Sequence, residues 1–301
     1  MDLAAAVGNA GGLGSVGTAV RPVADLQRQW ARLRTLTAAP FAINHQPRPF
    51  DPAAFDATLA AAPAVISYHM GDPGDLVARA HDAGIRWMQQ VMDVDQAEQA
   101  VERDVDILIA QGGEAGGHSG YVSTLALVPQ VVEVAAGRPV VAAGGIADGH
   151  GLAAALALGA SGVSMGTRFL ATPEMSITQA WKDMLLSASS RDAHHSTAVD
   201  QILPPYNRPH YAASARVLWT AFERHWETRL PDLRADAAAL APTIIAEILS
   251  GGGEQFAPFA GQSVGLVRDI RPAAELVRDI VAEAERILRT LATRPGSGRR
   301  R

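Results

Sequence analysis

The chain has 301 residues, of which 48% are hydrophobic and 19% charged, so it is not an intrinsically disordered polypeptide. Its 26 basic and 31 acidic residues give a net charge of −5, which argues against a nucleic-acid-binding protein. The absence of cysteine excludes disulfides, iron–sulfur clusters and thiolate zinc sites. The sequence contains neither an apolar run of membrane-spanning length nor a basic region typical of a secretory signal, so we expect a soluble cytoplasmic protein.

Short apolar runs alternate with alanine-rich helical patterns over the first 170 residues, as in repeated β–α units. The strand candidates are residues 13–18, 41–45, 64–69, 86–91, 105–111, 139–143 and 162–165. Each interval leaves room for a crossover helix, and the runs are continuously apolar, which predicts parallel strands buried on both faces. Polar residues stand at their carboxyl ends, where β–α barrels carry their chemistry: Asn44, His69, Gln90 and Gln111.

The alternation stops after Leu170. Between Thr172 and about Phe259 the pattern contains no strand candidate, and it predicts helices over residues 175–187, 213–228, 231–239 and 243–249, with a proline-rich turn at 203–205. A last amphipathic helix covers residues 273–291. We therefore expect a β–α barrel over 1–171, a helical second domain over 172–260, a segment returning to the barrel over 261–293 and a solvated tail over 294–301.

The loop at residues 111–120, QGGEAGGHSG, has five glycines among its ten residues. So much glycine is costly in backbone entropy and indicates that the backbone approaches another group closely. Because small neighbours pack a histidine poorly, we expect the His118 imidazole to point into a cleft as a catalytic group. A solvated loop histidine is the alternative. We expect Glu114 to hold the turn by accepting hydrogen bonds from loop amides.

Two glycine-containing loops follow the last two strand candidates. They contain Gly144 and Gly145, then Gly166 and Thr167. Backbone N–H groups near a helix N-terminus suit a phosphate, and barrels place a phosphate after their last two strands. The glycine spacing does not match a dinucleotide-binding fingerprint.

Two patterns, one of histidines and one of aromatic residues, are interpreted as having no catalytic or metal-binding role. His194 and His195 have no nearby carboxylate cluster in the sequence, so we expect a solvated loop and no metal site. Trp219, Phe222 and Trp226 have helical spacing and are expected to form a core stripe of the second domain.

Six motifs, in chain order, resemble the nitronate monooxygenase family, formerly called 2-nitropropane dioxygenases: NAGGLGSVG, FAIN, IAQGGEAGGH, VVAAGGI, MGTRFLAT and AGQSVGL. The related flavin-dependent enoyl-acyl carrier protein reductases share this set. The resemblance implies a TIM-type β–α barrel that holds FMN, with His118 as the catalytic base. It also implies flavin contacts from Asn44, Gln90, Gln111, Ala115, Gly116, Gly144, Gly145, Gly166, Thr167 and Gln262, with Ser263 close by.

The sequence departs from the family pattern in two places. Many members carry lysine where this chain has Gln90, and losing a cation there would make an anionic reduced flavin more costly. Family members also begin with a further strand before the stretch matching residues 3–7. Together with the seven strand candidates, this predicts a barrel that lacks one of its eight strands and has a slot between runs 162–165 and 13–18.

The implied activity is FMN-dependent oxidation of alkyl nitronates with dioxygen, in which His118 removes the carbon proton of a neutral nitroalkane. One alternative is an NAD(P)H-dependent FMN reductase of the enoyl-acyl carrier protein reductase type. Another is a non-catalytic or truncated flavoprotein. We expect a nitronate and dioxygen as small-molecule partners, with no nucleic acid, membrane or metal.

Overall fold

The computed structural model describes residues 1–19, 21–47, 50–202 and 214–293. The strands within them are β1 (Gly14–Gly17), β2 (Phe41–His45), β3 (Val65–Tyr68), β4 (Arg86–Val91), β5 (Ile107–Gln111), β6 (Gly117–Ser119), β7 (Val140–Ala143), β8 (Gly162–Ser164), β9 (Ala193–Ser196) and β10 (Ser214–Leu218). The predicted turn at 203–205 and the predicted tail at 294–301 lie outside the described residues.

The helices connect these strands and continue beyond them. They are α1 (Asp2–Asn9), α2 (Val23–Leu36), α3 (Pro52–Ala61), α4 (Leu76–Asp82), α5 (Val94–Glu102), α6 (Thr124–Val134), α7 (Gly149–Ala157), α8 (Thr167–Leu170), α9 (Gln179–Ser187), α10 (Ala198–Ile202), α11 (Ala221–Trp226), α12 (Leu230–Leu249) and α13 (Ala273–Thr293). Aspartate side chains cap three of them by accepting backbone N–H bonds: Asp51, Asp93 and Asp148. None of the described helices is long and apolar enough to cross a membrane.

The large sheet is parallel, with the order β1-β2-β3-β4-β5-β7-β8. All seven strand candidates are confirmed, and all four residues of β3 are buried, as expected for a sheet covered on both faces. Trp87 and Leu108 are fully buried in the core between this sheet and the helices around it. The fold is a TIM-type α/β architecture.

The large sheet is a curled half-barrel with β1 and β8 at its edges. Within the described ranges no pairing joins these two strands, so the predicted opening between them is confirmed. Helix α1 lies against β1 so closely that an ideal Cβ on Gly14 would be 2.1 Å from the Ala4 carbonyl oxygen. A glycine is therefore required where this helix covers the edge strand.

A second, antiparallel sheet has the order β6-β10-β9. The prediction that no strand lies between Thr172 and Phe259 is therefore wrong. Residues 213–228, predicted as one helix, contain β10 and α11 instead, because β10 is the central strand and all five of its residues are buried. Such burial and pairing override local helix propensity. The two helices predicted over 231–239 and 243–249 are one, α12, with Pro242 inside it.

The predicted aromatic stripe is divided between two environments. Trp219 precedes α11, and its ring stacks on His194 with centroids 3.4 Å apart. Phe222 and Trp226 do pack against α12, in the core of the second lobe, which is the part of the chain between residues 172 and 260. The prediction therefore holds for two of these rings and is wrong for Trp219, since the chain is not yet helical there.

Candidate active site

A cavity of about 400 Å³ opens at the carboxyl ends of β4, β5, β7 and β8. Most of the predicted site residues line it: Gln90, Gln111, Ala115, Gly116, Gly144, Gly145, Gly166 and Thr167. Among the described residues, none that lines the cavity has a charged side chain. A ligand here meets backbone amides, carboxamides and apolar groups.

Two of the predicted flavin-contacting residues do not line this cavity. Asn44 lies at the end of β2, in register with Gly17 and Ser67, two strands away from β4. The Gln262 side chain is exposed, while its backbone N–H donates to the Glu114 carbonyl oxygen at 2.8 Å. The next residue, Ser263, is buried and lines the cavity in its place.

Glycines allow the two lobes to meet at the cavity. An ideal Cβ on Gly116 would lie 2.6 Å from the Gly261 nitrogen, so the backbones touch directly. The Gly261 N–H donates to Thr167 Oγ1 at 2.9 Å, which ties the segment to the start of α8. The glycine-rich loop therefore does approach another part of the backbone closely, as its composition predicted, and that part is the segment at residues 260–261.

Glu114 holds the loop in the way the sequence suggested. Its carboxylate accepts hydrogen bonds from the Thr124 backbone N–H and from Thr124 Oγ1, both at 2.9 Å. Next to it, Gly144 has φ +97°, and an ideal Cβ there would be 2.8 Å from the Gly112 carbonyl oxygen. A left-handed backbone and a crowded position both require glycine at residue 144.

An uncharged hydrogen-bond network forms one wall of the cavity. Gln90 Nε2 donates to Gln111 Oε1 at 2.7 Å and to His69 Nδ1 at 2.8 Å. Burial lowers the pKa of His69 to about 4, so its ring is neutral near pH 7 and carries its proton on Nε2. The Gln111 amide nitrogen has no hydrogen-bond partner among the described residues and can donate to a ligand.

His118 lies on β6, where it pairs in register with Ala215 of β10. Its Nε2 is 2.8 Å from Oδ1 of Asp200 on α10, and the two side chains are 11% and 6% exposed. The neighbouring Gly117 lines the cavity, whereas His118 is not among the lining residues. The sequence analysis did not identify Asp200, which is 82 residues away along the chain.

The cavity fits a flavin mononucleotide in size and in lining. Its volume lies within the range of small-molecule sites. An ideal Cβ on Gly117 or Gly166 would meet no atom within 4 Å, so both positions leave open space for a flat ligand. The Arg168 guanidinium is not available to a phosphate, because it donates to the Asp269 carbonyl at 2.9 Å and to the Asp269 carboxylate. Backbone N–H groups would have to hold a phosphate here.

The expectation of a solvated loop at His194 and His195 is wrong. Both residues are on β9, and His194 Nε2 lies 3.5 Å from Glu227 and 4.0 Å from Glu223. His195 Nδ1 lies 2.8 Å from Ser214 Oγ on the neighbouring strand. The carboxylates were not seen in the sequence because they lie about thirty residues further along, on α11 and just after it.

Comparison with known proteins adds a family and several relatives. A family model described as nitronate monooxygenase matches residues 1–283. The chain is 32% identical to (3aS,4S,5R,7aS)-5-hydroxy-7a-methyl-1-oxo-octahydro-1H-indene-4-carboxyl-CoA dehydrogenase from Rhodococcus jostii, covering 94% of this chain and 88% of that protein. It is also 32% identical to a nitronate monooxygenase from Paraburkholderia phytofirmans, with coverages of 96% and 90%. The solved structure of FabK from Thermotoga maritima matches with a TM-score of 0.86 and 32% identity, covering 97% of this chain and 90% of that one.

Proposed function

Because the chain belongs to the nitronate monooxygenase family, we propose that it binds FMN in the glycine-lined cavity and oxidises alkyl nitronates with dioxygen. At the level of the family, it is a flavin-dependent oxidoreductase that acts on a small molecule. The observation that carries the finer proposal is the paired His118 and Asp200 beside a cavity with no charged lining among the described residues.

The chain's own residues would position the flavin. Backbone N–H groups of the loops at Gly145 and Gly166 would hold the phosphate, and the amides of Gln90 and Gln111, which line the same cavity, would be available to the ring. Bound FMN supplies the electron transfer and oxygen chemistry that side chains cannot provide. Because these protein groups are uncharged, they would stabilise negative charge on a bound flavin through hydrogen bonds alone.

His118 removes the proton from the carbon next to the nitro group of a neutral nitroalkane. Asp200 Oδ1 lies 2.8 Å from His118 Nε2, so this carboxylate orients the imidazole for proton removal. The same carboxylate stabilises the imidazolium that forms. A substrate that arrives as a preformed nitronate needs no such step.

Two measurements on the purified protein test this proposal. Heat-released flavin is compared with FMN and FAD standards by chromatography, and we expect FMN near one per chain. Oxygen uptake is then followed with a series of alkyl nitronates. FAD in place of FMN, or a well-folded colourless protein without uptake, would contradict the proposal.

A second candidate is an NAD(P)H-dependent FMN reductase of the enoyl-acyl carrier protein reductase type, favoured by the structural similarity to FabK. It would use the same cavity with a hydride donor in place of the nitronate. Aerobic oxidation of NADH or NADPH without any nitronate would identify this activity. A rate with nitronate that exceeds the NAD(P)H rate by orders of magnitude would rule it out.

A further inference from the structure

Three potential metal-ligating side chains converge in the second lobe, away from the flavin cavity. They are His194 on β9, Glu223 on α11 and Glu227 just after that helix. His194 Nε2 lies 3.5 Å from Glu227 Oε2 and 4.0 Å from Glu223 Oε2, and one ligand atom from each of the three lies within 4.8 Å of the others. Ligands at ~2.1 Å around a tetrahedral ion are about 3.4 Å apart, so small side-chain shifts would close this set.

The buried end of the cluster has unused ligand atoms. Glu223 is fully buried; its Oε2 accepts a hydrogen bond from Ser196 Oγ, but its Oε1 has no hydrogen-bond partner in the described ranges. Both ring nitrogens of His194 are also buried without a hydrogen-bond partner there. A buried carboxylate oxygen with no donor is costly to leave unmatched. A cation between Glu223 and His194 would satisfy these atoms.

Neighbouring groups hold two of the three side chains in place. The His194 ring lies parallel to Trp219, with centroids 3.4 Å apart and an interplanar angle of 5°. Ser196 fixes the Glu223 carboxylate, and Thr220 caps the helix that carries it. Such partners behind the ligands orient them and are typical of metal sites.

We propose that His194, Glu223 and Glu227 bind one divalent transition-metal ion, with Zn²⁺ favoured. One imidazole and two carboxylates form a nitrogen–oxygen donor set suited to Zn²⁺. Three protein ligands leave a coordination position for water on the side of Glu227, whose side chain is 39% exposed. None of the three residues lines the flavin cavity, so the proposal does not depend on the proposed function.

A metal here would stabilise the lobe that carries the His118 partner. Ser196 pairs with Ala215 of β10, and Ala215 pairs on its other side with His118. The ion would join β9 to α11 at the far side of this sheet. We therefore expect metal binding to raise the melting temperature of the whole enzyme.

The test uses the untagged, flavin-loaded enzyme, freed of metal with a chelator and then titrated with ZnCl₂ by calorimetry. We expect one site with a micromolar or tighter dissociation constant and a rise in melting temperature. His194→Gln and Glu227→Gln should each weaken binding at least tenfold. Glu227 is partly exposed, so its variant folds even if the His194 variant does not.

The matched control is His150→Gln. His150 Nδ1 lies 3.6 Å from Glu283 and 3.9 Å from Asp148, but its side chain is 71% exposed. It therefore offers the same donor groups, one imidazole and two carboxylates, at an exposed histidine, and its loss should leave zinc affinity unchanged. The proposal is overturned if the wild-type enzyme binds no stoichiometric zinc, or if Glu227→Gln binds as tightly as the wild type.

Discussion

At the level of single residues, His118 is proposed to remove a proton and Asp200 to orient His118, and variants can separate these two roles. We expect His118→Ala to lose about 10²–10⁴-fold in activity on neutral nitroalkanes and far less on preformed nitronates, because only the former need a base. Oxygen uptake with both substrates, using the same flavin-loaded preparation, measures the difference. Equal losses on both would mean that His118 positions substrate and does not take a proton.

Asp200→Asn provides the companion variant. An asparagine keeps the shape of Asp200 but cannot stabilise an imidazolium, so the nitroalkane rate should fall while the nitronate rate stays near that of the wild type. Oxygen uptake with both substrates measures the two rates.

Gly166 tests whether the ligand lies where the cavity suggests. Its added Cβ would meet no protein atom within 4 Å and would project toward the cavity, so Gly166→Ala should fold normally yet bind FMN at least tenfold more weakly. Fluorescence titration gives the dissociation constant. Gly162→Ala is the control, because Gly162 is equally uncrowded but does not line the cavity. Unchanged FMN affinity in Gly166→Ala would place the flavin elsewhere.

At the level of elements, the contact between the 111–120 loop and the segment before residue 262 joins the two lobes. In Gly116→Ala the new Cβ would be 2.6 Å from the Gly261 nitrogen and 2.7 Å from the Ala260 carbonyl carbon, and backbone cannot move aside cheaply. We expect a loss of about 1–3 kcal/mol in unfolding free energy, together with weaker FMN binding. Urea unfolding of Gly116→Ala is compared with that of the control variant Gly162→Ala. Equal unfolding midpoints in the two variants would contradict the prediction.

The parallel strands could be predicted from the sequence because each is a continuous apolar run followed by a helix. The strands β9 and β10 could not be predicted in this way. β9 reads AHHS, with little apolar character, and β10 becomes a strand only when β6 and β9 lie on either side of it. Pairing between distant segments leaves little local signal.

Some residues of the candidate site could likewise be predicted from the sequence, and others could not. Glycine loops at strand ends and the histidine between them are local features, and eight of the ten predicted flavin contacts line one cavity. Asp200 and the carboxylates beside His194 come from segments that the fold brings together, so spacing alone could not find them. Asn44 shows the opposite case: it lies at the carboxyl end of its strand, as predicted, yet outside the cavity.

At the level of the whole molecule, two histidines, His45 and His69, make stability depend on acid, because burial lowers the pKa of each to about 4. His45 is 2% exposed, its Nε2 lies 2.9 Å from Thr58 Oγ1, and burial lowers its pKa to about 4, against a smaller raising effect of Asp51. Between pH 6.5 and 4 the unfolded chain therefore binds a proton that the folded protein does not. The contribution to the unfolding free energy, about 3 kcal/mol, is present above pH 6.5 and is lost as the pH falls toward 4.

His45→Gln removes this titration. The stability gap between wild type and variant should narrow by up to about 3 kcal/mol when the pH falls from 7.5 to 4. Denaturant unfolding at several pH values measures the gap, with His150→Gln as the exposed control. A gap that stays constant over this range would show that His45 is not the group responsible.

The strand that carries His118 belongs to the small sheet, whereas Gly144 and Gly166 belong to loops of the large one. Asp200 lies on α10, directly after β9 of that small sheet, and its Oδ1 is 2.8 Å from His118 Nε2. Substitutions where the two sheets meet should therefore alter how far the base reaches toward a substrate, whereas substitutions around Asp200 should alter the hydrogen bond that orients the base. Substrate size and orientation of the base can then be changed at separate positions of the chain.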